Sequence, residues 1–214
     1  MKSMLVVGLG RFGSNLATEL SEYGNEVVAI DRDEKAVAKI MHAVTKAKIG
    51  DCMERDTLEA LGVNNFDICF VCMSEDFQSS LEITSLLKEL GANYVVSKAD
   101  REIHEEFLRK IGADDVICPE RDMAHRAAVK YSSNNLFDYI EFTPEYLICE
   151  IKVPDRWEGR TLRQLNIRHK DKVNVIAVKN DSGMFPSTEW ENEFRKDDHV
   201  LVVGRKSDII KMLK

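Results

Sequence analysis

Short apolar runs alternate with longer amphipathic stretches from residue 2 to about residue 132, the rhythm of a parallel sheet covered by helices. The runs predict strands over Ser3 to Gly8, Glu26 to Ile30, Lys46 to Ile49, Ile68 to Cys72, Tyr94 to Ser97 and Val116 to Cys118. The stretches between and after them predict helices over Arg11 to Tyr23, Glu34 to His42, Arg55 to Leu61, Phe77 to Leu90, Glu102 to Ile111 and Met123 to Ser132. Gly24, Gly91 and Gly112 stand where three of these helices should stop, since a glycine past the last turn accepts the left-handed backbone that closes a helix. Six strands fit one doubly wound sheet.

The polar stretch Ser132-Ser133-Asn134-Asn135 is the expected boundary. Beyond it, strands over Leu147 to Val153, Val173 to Val178 and His199 to Gly204 are separated by turn signals such as Asn180-Asp181-Ser182-Gly183. The expected organisation is α/β: a Rossmann-type parallel sheet over residues 1–134 that binds a nucleotide, followed by a small C-terminal α+β domain over 135–214. No internal repeat and no flexible Gly/Ser linker interrupts the chain.

Composition narrows the partners. The 214 residues, 44% of them hydrophobic, can bury a sizeable core. With 37 acidic against 30 basic residues the formal charge is −7, which argues against nucleic acid as a partner. No apolar run approaches the roughly 18 to 20 residues that span a bilayer, and the first residues lead straight into a strand pattern, so a soluble, non-secreted chain is expected. Five irregularly spaced cysteines fit a reducing cytosol. Cys69 and Cys72 have CxxC spacing, but on a strand residues three apart point to opposite faces, so both are expected in the core.

Chemistry concentrates in the first turn. Gly8-Leu9-Gly10-Arg11-Phe12-Gly13 follows the first strand and opens the first helix, the context a GxGxxG match requires. Gly8 allows the tight turn, Gly10 lets the backbone approach phosphates, and Gly13 lets helix and strand pack closely. Free N–H groups and the dipole at the helix start favour an anion. The second strand ends in Asp31, 18 residues after Gly13, where a carboxylate can accept hydrogen bonds from ribose hydroxyls; Arg32 beside it joins the candidate set. An acid at this place disfavours a 2′-phosphorylated ribose. Arg11 inside the loop can reach terminal phosphates, which points to ADP or ATP as well as NAD or NADH. Asp51 and Cys52 after the third strand, and Met73 and Ser74 after the fourth, are candidate adenine and ribose contacts. Lys98 closes the fifth strand at the same edge, either adding charge beside the phosphates or standing as a plain surface lysine.

An NAD-dependent oxidoreductase is the alternative, but it needs a group that exchanges a proton with substrate. His42, His104, His125, His169 and His199 show no metal-pair spacing, and no GxSxG elbow or GxxxxGK[ST] loop occurs. A non-enzymatic binding role is therefore expected.

Together, Met4 to Gly13, Val28 to Asp31, Gly50-Asp51, Lys98-Ala99 and Cys118-Pro119-Glu120 resemble the regulator-of-potassium-conductance (RCK) domain of Trk/Ktr-type potassium-transport regulatory subunits. Leu162 to Arg168, Asn174 to Val178, Pro186 and His199 to Gly204 are similar to the C-terminal domain of that family, in its single-copy Ktr form. The resemblance implies dimers that build an octameric ring on the cytoplasmic side of the membrane, where they gate a potassium-translocating subunit when ATP replaces ADP. It also implies that Arg11 senses the terminal phosphate, that Asp31 holds the ribose, and that Glu120 helps to hold Mg²⁺ or Ca²⁺ at a dimer interface. For the C-terminal domain it implies a cyclic di-AMP site at Arg168, Asn174, Ile176 and Pro186.

Overall fold

A computed structural model describes residues 1–73, 76–132 and 135–213, and its contacts divide the chain into two compact units, Met1–Asp122 and Met123–Lys214. In the first unit the elements run β1 (Ser3–Val7), α1 (Arg11–Glu22), β2 (Glu26–Asp31), α2 (Glu34–Ile40), β3 (Lys46–Ile49) and α3 (Arg55–Leu61). They continue β4 (Ile68–Val71), α4 (Phe77–Glu89), β5 (Val95–Lys98), α5 (Glu102–Lys110) and β6 (Asp115–Ile117). All six strands pair in parallel, in the order β3-β2-β1-β4-β5-β6. The order reverses between β1 and β4, and in such a sheet ligands bind outside the carboxyl ends of the strands at that reversal.

The sheet is covered on both faces. Along β1, Leu5 and Val7 join a cluster with Ile30, Cys69, Val71, Ile83 and Leu87, whereas Val6 joins the opposite cluster with Val27, Ala29, Ala17 and Cys72. Cys69 and Cys72 thus stand on opposite faces, as the strand period requires. Burial pushes both thiols up to about 12, so they are packing groups and not a redox pair. Each fully buried Leu or Ile here contributes about 1.5–3 kcal/mol by leaving water. Gly24 and Gly91 follow α1 and α4 at φ of 80° and 81°, in the left-handed region that their stop signals predicted.

Helix α6 (Pro119–Tyr131) begins on its proline, whose missing N–H costs nothing at a first helical position. The two units part inside this helix, and not at the polar stretch, of which Ser133 and Asn134 lie outside the described residues. The reason is packing: Val129 rests against the core of the second unit.

That unit holds β7 (Leu136–Glu141), β8 (Tyr146–Lys152), α7 (Leu162–Leu165), α8 (Ile167–Lys170), β9 (Val173–Asn180), β10 (Gly183–Pro186), β11 (His199–Arg205) and α9 (Lys206–Met212). Its strands form an antiparallel sheet in the order β10-β9-β11-β8-β7. One face of the sheet packs Leu147, Cys149, Ile151, Val200 and Val202 onto Trp157, Trp190, Phe194 and Ile209. Two strands, β7 and β10, go beyond the three that the sequence pattern predicts.

Candidate functional site

The backbone sets the site before any side chain does. Gly8 donates its N–H to the Ile30 carbonyl at 2.9 Å and then turns at φ 90°, where a Cβ would stand 2.9 Å from the Met73 sulfur. At Gly13 a Cβ would stand 1.9 Å from the Gly8 carbonyl oxygen, so only glycine lets α1 start this close to the end of β1. Gly10 differs, because a Cβ there meets nothing within 4 Å. Packing gives no reason for this glycine, whereas a ligand lying against the loop does.

Asp31 ties the turn to the sheet. Its Oδ2 accepts the Leu9 N–H at 2.6 Å, its Oδ1 accepts the Asp33 N–H at 2.8 Å, and its main-chain carbonyl accepts the Gly50 N–H at 3.0 Å. Asp51 caps its own loop in the same manner, with Oδ1 accepting the Met53 N–H at 2.9 Å.

Between these loops lies a narrow cleft at the carboxyl ends of the strands. Of the residues expected at the site, Gly8, Asp31, Arg32, Asp51, Cys52 and Met73 line it. Gly10, Arg11, Phe12 and Gly13 form the turn and first helical residues after β1 and do not line the cleft, with Phe12 packed on the neighbouring core cluster. Ser74 lies outside the described residues. Burial first, and then the negative Asp51 and Asp31, push the Cys52 thiol up to about 12, so Cys52 shapes the cleft as a neutral group.

Two cations stand near the carboxyl edge in different states. Arg11 is exposed and has no hydrogen-bond or ion-pair partner among the described residues, and its charge reaches Glu120. Lys98 is not a surface lysine: it is 3% exposed, and its ammonium lies 2.8 Å from Glu120 and 3.0 Å from Asp100. Burial alone would lower the Lys98 pKa, but the two carboxylates outweigh it and raise it. Neither Lys98 nor Glu120 lines the cleft. The Glu120 carboxylate is engaged by Lys98, and among the described residues no three His, Cys, Asp or Glu side chains converge on one point. A single chain therefore does not fit a divalent cation at Glu120.

The second unit gathers its own candidates around β9. Arg168 donates through Nε to Asn174 Oδ1 at 2.8 Å, and both line an open cleft with Arg163, Asn166 and Ser187. Ile176 is the extra residue where the pairing of β9 with β11 slips, and its carbonyl accepts the Ser187 N–H at 2.8 Å, next to Pro186 on β10.

Sequence reasoning missed Met53, Ser79 and Ile83, which complete the first cleft. Met53 follows the Asp51-Cys52 pair directly, and Ser79 and Ile83 are spaced i, i+4 on α4, so both signals were available.

Comparison with known proteins agrees with both units. A family model described as the TrkA-N domain matches residues 4–119, and one described as the TrkA-C domain matches residues 148–214. The chain is 39% identical over 213 residues to Ktr system potassium uptake protein C of Bacillus subtilis, covering 100% of this chain and 96% of that protein. It is 35% identical to Ktr system potassium uptake protein A of the same organism, over 97% of this chain and 94% of that one. The fold also matches the GsuK channel bound to NAD, with a TM-score of 0.70 and 16% identity, over 100% of this chain and 39% of the channel chain. Among the described residues no helix is long and apolar enough to cross a membrane.

Proposed function

The chain belongs to the TrkA family, carrying a TrkA-N and a TrkA-C domain in order, and on that premise we propose that it is the nucleotide-sensing regulatory subunit of a Ktr-type potassium uptake system. The observation that carries the reading is the glycine turn held by Asp31 beside a cleft, with Gly10 facing open space. Asp31 presents a carboxylate to a ribose, the start of α1 presents N–H groups to phosphates, and Arg11 stands ready for a terminal phosphate. The residues fit ADP and ATP, and NAD or NADH through the same adenosine half.

The work is coupling and not chemistry. Among the described residues the lining of the cleft includes no His, Lys or Tyr, Asp31 and Asp51 are engaged with backbone amides, and Cys52 is protonated. Regulation then requires that two arrangements of the assembled subunits bind ATP and ADP with different affinity, because a ligand that binds both equally shifts nothing. Arg11 supplies the difference, since ATP and ADP differ by the terminal phosphate. The assembly is a dimer-based octameric ring on the cytoplasmic face of the membrane, acting on a membrane-embedded potassium-translocating subunit. Glu120 takes part in holding Mg²⁺ or Ca²⁺ only where a second copy and nucleotide phosphates complete the donor set. In the C-terminal domain, Arg168, Asn174, Ile176 and Pro186 form a cyclic di-AMP site.

Titration with ATP, ADP, NAD and NADH while following the melting temperature tests the reading, because a ligand of the folded state raises it by mass action. No shift at millimolar concentration of any of the four contradicts it.

A further inference from the structure

A buried ammonium lies at the carboxyl edge of the parallel sheet, outside the cleft. Lys98 ends β5 with its side chain 2% exposed, whereas the two carboxylates it meets are open to water, Glu120 at 67% and Asp100 at 42%. A lysine is almost never this buried unless it is paired. Burial alone would favour its neutral form, but the carboxylates at 2.8 and 3.0 Å outweigh that, so Lys98 is a fixed positive charge beneath two surface acids.

Glu120 is the second residue of α6. Its carboxyl is held below the ordinary glutamate range, first by the hydrogen bond from Lys98 and then, more weakly, by the charge of Arg11, so it is ionised near neutrality. A carboxylate that acts on Arg11 also acts on whatever anion Arg11 draws. Left alone, Glu120 would repel a phosphate there. Lys98 opposes that repulsion from a place water does not reach, where charge is screened least.

We propose that Lys98, acting through Glu120, sets how strongly the site of Arg11 prefers ATP to ADP. ATP carries one negative charge more than ADP, at its terminal phosphate, so an uncompensated carboxylate beside Arg11 penalises ATP the more. Lys98 lines no part of the cleft, and its role is that of a positioning residue: it pairs with Glu120 and cancels its charge. The inference rests on the nucleotide reading above, with Arg11 at the terminal phosphate, and adds to it the buried cation that lets a phosphate approach an acid.

The test is calorimetry with ATP and ADP on the full chain and on Lys98→Met and Glu120→Gln, in EDTA so that no divalent cation reaches Glu120. Lys98→Met leaves the acids uncompensated and should lower the ratio of ATP to ADP affinity about two- to fivefold, whereas Glu120→Gln removes the repulsion and should raise it by a similar factor. Both changes should shrink in 1 M salt. A Lys98 that only supports the fold would weaken ATP and ADP alike and leave the ratio as it was. Should Lys98→Met not fold, Glu120→Gln decides alone. A ratio unchanged in Lys98→Met, or one that does not rise in Glu120→Gln, overturns the role of Lys98 while leaving the nucleotide site standing. Failure of wild type to bind either nucleotide overturns both.

Discussion

The carboxylate of Asp31, at the end of β2, accepts the amide hydrogen of Leu9, in the turn after β1, at 2.6 Å. One oxygen thus fixes the glycine turn while the residue stands at the lip of the cleft, so the shape of the turn and the lining of the cleft share one side chain. Asp31→Ala leaves the Leu9 N–H without its acceptor, at a cost of about 1–3 kcal/mol. The expected result is a lower melting temperature and a loss of affinity shared by ATP, ADP and NAD. Calorimetry that shows only one of the three affected contradicts this.

Gly10 and Gly13 should separate binding from folding. At Gly13 an added Cβ meets the Gly8 carbonyl at 1.9 Å, so Gly13→Ala should destabilise the chain by about 1–3 kcal/mol or more without ligand. At Gly10 the Cβ meets nothing within 4 Å and φ is −63°. Gly10→Ala should change the unliganded stability by less than about 0.5 kcal/mol and weaken nucleotide binding about tenfold, the equivalent of about 1.4 kcal/mol. Denaturant melts with and without ATP read both effects.

Arg11 should discriminate ATP from ADP. It is the only cation of the glycine turn and makes no hydrogen bond or ion pair among the described residues, acting within the fold only through its charge on Glu120. A charge-assisted bond to a terminal phosphate is worth about 1.5–3 kcal/mol, and Arg11→Ala should therefore lower ATP affinity by roughly ten- to a hundredfold and ADP affinity much less. Equal losses would mean contact with a shared phosphate or with none.

The second unit carries an acid-sensitive pair. Burial alone would push the Glu150 carboxyl up, but hydrogen bonds with His199 at 2.7 Å and from Lys179 at 2.9 Å outweigh it and hold it below the ordinary glutamate range. A depressed carboxylate stabilises the fold above its unfolded pKa, and that stability is lost as pH falls through the folded value. Lys179→Met should flatten the fall in melting temperature between about pH 5 and pH 3. An acid limb as steep as that of wild type would show that Lys179 contributes nothing there.

The parallel sheet was legible because both of its faces are buried. The sequence writes β1 and β4 as unbroken apolar runs, and a glycine follows α1 and α4 where the chain must turn. The expected strand ends miss by a residue at several places, since Cys72 and Gly8 are apolar or small but already outside the ladder. Strand β7 escaped because it lies at the edge of its sheet, with Phe137 and Ile140 exposed and only Tyr139 in the core, so no alternation shows. Strand β10 ends on Pro186, which reads as a break. The burial of Lys98 was not legible, because its ion pair with Glu120, 22 residues later in the chain, is a pairing that no local pattern encodes.

The central claim is that nucleotide exchange in this chain controls potassium movement through a membrane partner. Its most direct test reconstitutes the purified potassium-translocating subunit in vesicles, adds this protein, and measures potassium flux with ATP and then with ADP. The account predicts flux that rises with ATP, falls with ADP and loses that difference in Arg11→Ala. Flux that is the same with either nucleotide, or with and without this protein, would contradict it.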